Sequence, residues 1–169
     1  MLSPVERLIV LKSAPLFRAV SDRLLAEVAE LLSEEEYLAG SEVFRHGEPG
    51  SSMFLIVEGE VRIHVGDHTL NTLGSRAVFG EMAVLDPAPR AANATALSDL
   101  LLLRLEADLL NDLLERRPEL GYGLMYVLLD QIRARVTEIE ALAGSLLPQG
   151  AERSQINAQI AGHGAQDLA

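Results

Sequence analysis

Cysteine and tryptophan are absent from the 169 residues. Without a thiol there is no disulfide, no thiolate nucleophile, no zinc finger and no iron-sulfur cluster, so thiol redox sensing is excluded and the cytoplasm is the expected compartment. Cations are scarce as well. Fourteen Lys and Arg face 25 Asp and Glu, and the net charge of −11 repels a polyphosphate unless those few cations are gathered in one place. Generic nucleic-acid binding is disfavoured. Long apolar runs are also missing: Leu100 to Leu103, a purely aliphatic stretch that no other exceeds, is closed by Arg104, far short of the roughly 20 residues that span a bilayer. In the opening MLSPVERLIVLKSAPLF, charges at Glu6, Arg7 and Lys12 break the pattern before an export signal forms. No membrane insertion is expected.

What remains is the composition of a folded domain, with 49% hydrophobic and 23% charged residues in a length suited to one core. From residues 1–33 the apolar side chains Leu24, Leu25, Val28, Leu31 and Leu32 recur at helical spacing behind a cap at Ser21 or Asp22. Over residues 34–105 the pattern changes to short apolar runs cut by Gly40, Gly47, Gly50, Gly59, Gly66, Gly74 and Gly80, which reads as strands and tight turns. Two consecutive hairpins are expected, one turning at Glu58-Gly59 and one at Gly66-Asp67, within an antiparallel barrel or roll. Helical spacing returns over residues 106–143, where Pro118 divides a short helix from a long one. Residues 144–169, rich in Ala, Gln and Gly, read as a flexible tail.

The segment FGEMAVLDPAPRAANAT, residues 79–95, holds the chemistry. Phe79-Gly80-Glu81-Met82-Ala83 starts a short helix after a strand, and its glycine and small residues let backbone N–H groups approach an anion. Arg90 offers a planar fork that holds two phosphate oxygens, while Ala91 and Ala92 leave the neighbouring backbone open. Glu81, an acceptor only, suits a sugar hydroxyl. A sugar-phosphate ester fits.

These residues resemble the phosphate-binding cassette of the cyclic nucleotide-binding domain family, F-G-E-x-A-L followed by a variable loop and P-R-x-A. The upstream AGSEVFRHGEPGSSMFLIVEGEVRIHV is similar to the same family's glycine-spaced strands, and the resemblance spans about Leu8 to Val136. It implies an α+β, mainly β fold: an antiparallel eight-stranded β-roll, jelly-roll-like, with N-terminal helices and two C-terminal helices serving as hinge and lid. It further implies Glu81 on the ribose 2′-hydroxyl, Arg90 on the exocyclic phosphate oxygens, and the backbone of Gly80, Met82, Ala83, Ala91 and Ala92 on the remaining acceptors. Family members that prefer cyclic GMP often carry threonine after the arginine, so Ala91 favours cyclic AMP over cyclic GMP. Asn93 stands where the family commonly has Thr or Ser. Thr137 and Gln131 on the long helix are candidate base contacts.

Plainer readings stand beside these. Glu81 and Arg90 could form a structural ion pair in a degenerate roll that acts as an interaction or dimerisation domain. His64 and His68, four apart across Val65-Gly66-Asp67, lack the histidine spacing of a cupin metal site, and Asp86 reads as a turn former. No enzyme and no metal are expected. Met125, Leu129, Ile132, Val136, Ile139 and Ala143 follow a heptad seam, which serves either a helix lying on its own roll or a parallel homodimer. Residues 143–169 lack the apolar pattern and basic charge of a helix-turn-helix, so a sensor without a DNA-binding domain is the reading.

Overall fold

Ser3 opens the first helix with a reciprocal cap: its hydroxyl accepts from the Glu6 N–H, and the Glu6 carboxylate accepts from the Ser3 N–H, satisfying donors left over at a helix start. The computed structural model describes residues 1–85 and 88–146. Helix α1 (Pro4–Ser13) leads to a single 3-10 turn (Pro15–Phe17) and then α2 (Asp22–Glu30), with Ser21 at the cap position but without a side-chain capping bond.

Eight strands follow among the described residues: β1 (Ser33–Tyr37), β2 (Glu42–Phe44), β3 (Ser52–Glu58), β4 (Val61–Val65), β5 (His68–Leu73), β6 (Val78–Phe79), β7 (Asn93–Ala96) and β8 (Leu100–Glu106). A one-turn helix, α3 (Met82–Leu85), lies between β6 and β7. The strands form two antiparallel four-stranded sheets, ordered β1-β8-β3-β6 and β2-β7-β4-β5, which is the expected roll.

One turn departs from the sequence reading. The chain reverses at Glu58-Gly59, but β3 and β4 do not pair; they belong to different sheets. The corner is pinned instead to the β7–β8 connection, by the Glu60 N–H on Ser98 Oγ at 3.1 Å and the Leu97 N–H on the Glu60 carbonyl at 2.8 Å. Alternating side chains mark a strand without naming its neighbour, so two strands flanking a turn look alike whether they pair or part. The second hairpin forms as expected, with β4 and β5 paired from Val61 opposite Leu73 to Val65 opposite His68.

The β1-β8-β3-β6 sheet is apolar on both sides because a different layer covers each. Met53 and Leu55 of β3, with Leu103 and Leu105 of β8, share one core with α1, α2 and the helix α4 (Ala107–Arg116). Phe54 and Ile56, with Leu100 and Leu102, join Val61, Ala94 and Ala96 of the opposite sheet in a second core inside the roll. Truncating a fully buried member such as Ile56 or Leu102 to alanine costs about 2–5 kcal/mol. Helix α5 (Pro118–Leu146) starts at Pro118, a first-turn position where a missing N–H leaves no bond unmade. Its first turns bury Leu120, Leu124 and Val127, and Arg117 just before it donates from Nε to Glu27 of α2 at 3.1 Å. The junction between α4 and α5 is therefore anchored. The chain divides into two units, one of Met1–Leu129 and one from Asp130 onward, of which residues 130–146 continue α5; residues 147–169, most of the expected tail, lie outside the described residues.

Candidate anion-binding site

Among the described residues Arg90 is the one charged side chain that is buried, at 6% exposure. Its backbone is held by a short ladder from the β2–β3 connection: the Arg90 N–H donates to the Glu48 carbonyl at 2.8 Å, and the Gly47 N–H donates to the Arg90 carbonyl at 2.8 Å. Pro49 and Pro89 sit opposite each other in the same ladder. From there the guanidinium enters the roll. Nη1 donates to the Gly80 carbonyl and Nη2 to Ser52 Oγ, both at 3.2 Å. Both partners are neutral. No carboxylate of the described residues lies within ion-pair distance, although Glu48, Glu106 and Glu81 act on Arg90 from farther off. Burial, and secondarily the Arg104 charge, push its pKa below the ordinary value, yet a guanidinium stays charged in proteins. An uncompensated buried cation costs several kcal/mol, and an anion would relieve that cost.

Small residues let the surrounding backbone close on this cation. Gly80 has φ +72°, which strains any residue with a side chain, and a Cβ there would lie 2.6 Å from Arg90 Nη1 and push the guanidinium aside. A Cβ at Gly50 would meet the Ala83 Cβ at 2.4 Å and Arg90 Nε at 3.1 Å. Phe79 and Ala83 are buried at the base of the cassette, and Met82 projects outward. Ala92 is buried and Ala91 exposed beside the arginine. Glu81, half-buried, does not pair with Arg90; its carboxylate has no hydrogen-bond or ion-pair partner among the described residues and remains an open acceptor. Asp86 lies outside the described residues.

The structure gives Asn93 a role of its own. Its Oδ1 accepts from the His46 N–H at 2.9 Å and its Nδ2 donates to the His64 carbonyl at 3.1 Å, so both ends of the amide tie β7 to β4 and to the loop that clamps Arg90. His64 places Nε2 against Thr95 Oγ1 at 2.9 Å and Nδ1 against the Gly66 carbonyl at 2.6 Å. Among the described residues no three metal-ligating side chains converge. Thr137, on the second unit, is exposed and donates to the Arg133 carbonyl at 3.1 Å; the Gln131 side chain lies outside the described residues.

Sequence reasoning missed the floor of the site: Phe44, Gly50, Ser52 and the Gly47-Glu48 backbone. The chain has only four phenylalanines, and three of them, Phe44, Phe54 and Phe79, cluster with ring centroids 5.2 to 6.0 Å apart. Arg90 Cζ stands 4.1 Å from the centroid of Phe44. That scarcity was a usable signal.

Residues 34–117 match the family described as Cyclic nucleotide-binding domain. The chain is 29% identical over 129 residues to the CRP-like cAMP-activated global transcriptional regulator of Mycobacterium tuberculosis, an alignment covering 73% of this chain and 58% of the relative. The N-terminal domain of a transcriptional regulator from Streptomyces coelicolor shares the fold with TM-score 0.70 and 31% identity, over 77% of this chain and 94% of that domain. The regulatory domain of Toxoplasma gondii PKA, solved with cAMP, aligns with TM-score 0.61 and 26% identity over 65% of this chain and 44% of that one. The chain thus spans a little over half the length of the curated regulator it matches.

Proposed function

The chain belongs to the cyclic nucleotide-binding domain family, and from that membership we propose that it is a regulatory sensor that takes cyclic AMP in the cassette of residues 79–95 and signals through its C-terminal helix. The observation that carries the reading is the buried Arg90, whose partners among the described residues are all neutral. A cyclic phosphate supplies the missing counter-charge. In this reading Arg90 grips the exocyclic oxygens, Glu81 accepts from the ribose 2′-hydroxyl, and the N–H groups of Gly80, Met82, Ala83, Ala91 and Ala92 meet the remaining acceptors. No residue is assigned a catalytic step; the module binds and reports. The similarity to a cAMP-activated regulator and to a kinase regulatory domain solved with cAMP supports the choice of nucleotide.

Adenine over guanine follows from Ala91, which offers no hydroxyl to a guanine amino group. Replacing it, Ala91→Thr, is expected to raise cyclic GMP affinity by about 1 kcal/mol, one neutral hydrogen bond, and to leave cyclic AMP nearly unchanged. Competition titrations read the ratio directly. For the grip itself, Arg90→Leu is expected to weaken cyclic AMP binding by about 2–4 kcal/mol in calorimetry on nucleotide-stripped protein. Because the substitution also removes an unpaired buried charge, the unfolding free energy should hold or rise. An Arg90→Leu protein that binds within threefold of the parent would sink the assignment of the grip to Arg90, and a parent that takes up no cyclic AMP in the same titration would leave the degenerate roll as the better account.

The exposed apolar seam of α5 supports a homodimer. Met125, Leu129, Ile132, Val136 and Ile139 are each more than two-fifths exposed at heptad spacing, an arrangement that a second copy of the helix would cover. Among the described residues no helix is long and apolar enough to cross a membrane.

A further inference from the structure

Among the described residues Arg90 has three carboxylates close enough to be felt, those of Glu48, Glu106 and Glu81, and pairs with none of them. A guanidinium on a long, rotatable stem would ordinarily swing to such a partner. What occupies it instead is a face: Cζ lies 4.1 Å from the centroid of Phe44 and 5.8 Å from that of Phe54. Phe54 stacks on Phe79 at 5.2 Å with the ring planes 19° apart, and Phe44 lies 6.0 and 5.8 Å from them, so three packed rings form the seat. The negative face of an aromatic ring attracts a cation without consuming any of its N–H donors. Of the five donors of Arg90, the Gly80 carbonyl and Ser52 Oγ each take one. The remaining three have no partner among the described residues.

We propose that Phe44 is a positioning residue for ligand binding: its ring face seats the Arg90 guanidinium inside the roll, away from the neighbouring carboxylates and with donors free for an anion. The inference rests on the reading that Arg90 grips the phosphate. Phe44 belongs to β2, which is remote in sequence from the cassette and reaches it because β2 pairs with β7 just beyond Ala92. The ring also forms part of the inner core, so a space-filling role must be separated from an electrostatic one.

Stepwise fluorination separates them, since it drains the negative ring face while changing shape little. Mono-, di- and trifluorophenylalanine at position 44 of the full chain are titrated with cyclic AMP, with thermal melting as the check on folding. Affinity is expected to fall with each fluorine, to about tenfold below the parent at three, and Phe44→Tyr is expected to keep parental affinity while Phe44→Leu falls about tenfold. In an Arg90→Leu background the fluorine series is expected to be flat. A flat series in the parent, with Arg90→Leu still costing most of the binding, overturns the role of Phe44 and leaves the phosphate grip standing. Affinity that rises with fluorination overturns it too, because the ring would then hold Arg90 back from the ligand. Should Arg90→Leu bind as well as the parent, the grip itself fails and the inference with it.

Discussion

At the residue scale the most instructive position is Asn93, the cassette neighbour that departs from the family's Thr or Ser. A side chain there invites a base-reading role, but both ends of its amide are engaged, with the His46 N–H and the His64 carbonyl. Removing it leaves two backbone groups to find other partners. Asn93→Ala is expected to lose about 1–2 kcal/mol of unfolding free energy in denaturant titrations, two hydrogen bonds at the usual net value. Because His46 adjoins the Gly47-Glu48 clamp on Arg90, overall affinity should fall for cyclic AMP and cyclic GMP together. Their ratio should stay where it was; a changed ratio would mean that Asn93 does read the base. Gly80 follows a different logic, legible from sequence as a turn former but required in the structure for the space that Arg90 Nη1 occupies.

At the element scale, one carboxylate helps to fasten the N-terminal helix to the roll. Glu34 at the start of β1 accepts the Leu2 N–H at 2.7 Å and Arg7 Nη2 at 3.0 Å, while Arg7 Nη1 donates to the Leu32 carbonyl at 2.8 Å. Burial works to raise the Glu34 pKa, but the Leu2 N–H and the Arg7 guanidinium hold it below the ordinary 4.5. A carboxylate whose folded pKa is depressed stabilises the fold fully above its unfolded pKa and loses that contribution as pH falls through the folded value. The melting temperature of the parent should therefore drop as pH is taken from 4.5 downward, and Glu34→Gln should flatten that part of the profile while lowering stability at neutral pH. Equal acid slopes in the two proteins would remove Glu34 from the account. The same anchoring logic applies at the other end, where Arg117 on Glu27 and the buried Leu120 fix the start of α5. In the sequence, the Arg-Pro break followed by glycine at residues 117–121 carries no sign of the partner on α2.

At the scale of the whole molecule, the proposed output depends on α5 from residue 130 onward. A ligand shifts a conformational equilibrium only by its differential affinity for the two states, so contacts from this segment to the purine must exist in one state and not the other. Ending the chain after Asp130 is expected to cost about 1–3 kcal/mol of cyclic AMP affinity, the usual size of such a coupling, and to leave the melting of the roll nearly unchanged. Hydrogen exchange supplies the companion reading: cyclic AMP should protect residues near 132–139 as well as 80–92. Protection confined to the cassette, with full affinity in the shortened chain, would send the signal out by another surface. The sequence by itself determined the helix-roll-helix order, the break at Pro118 and the local chemistry of Gly80, Glu81 and Arg90, because periodicity, turn residues and motif spacing all act within a few residues along the chain. Only the tertiary structure decided that β3 and β4 part at Gly59 and that Asn93 is a tie. It alone brought Phe44, Gly50 and Ser52 beneath Arg90 from about 40 residues upstream. Strand pairing and burial depend on which layers meet, and neither alternation nor composition records that partner.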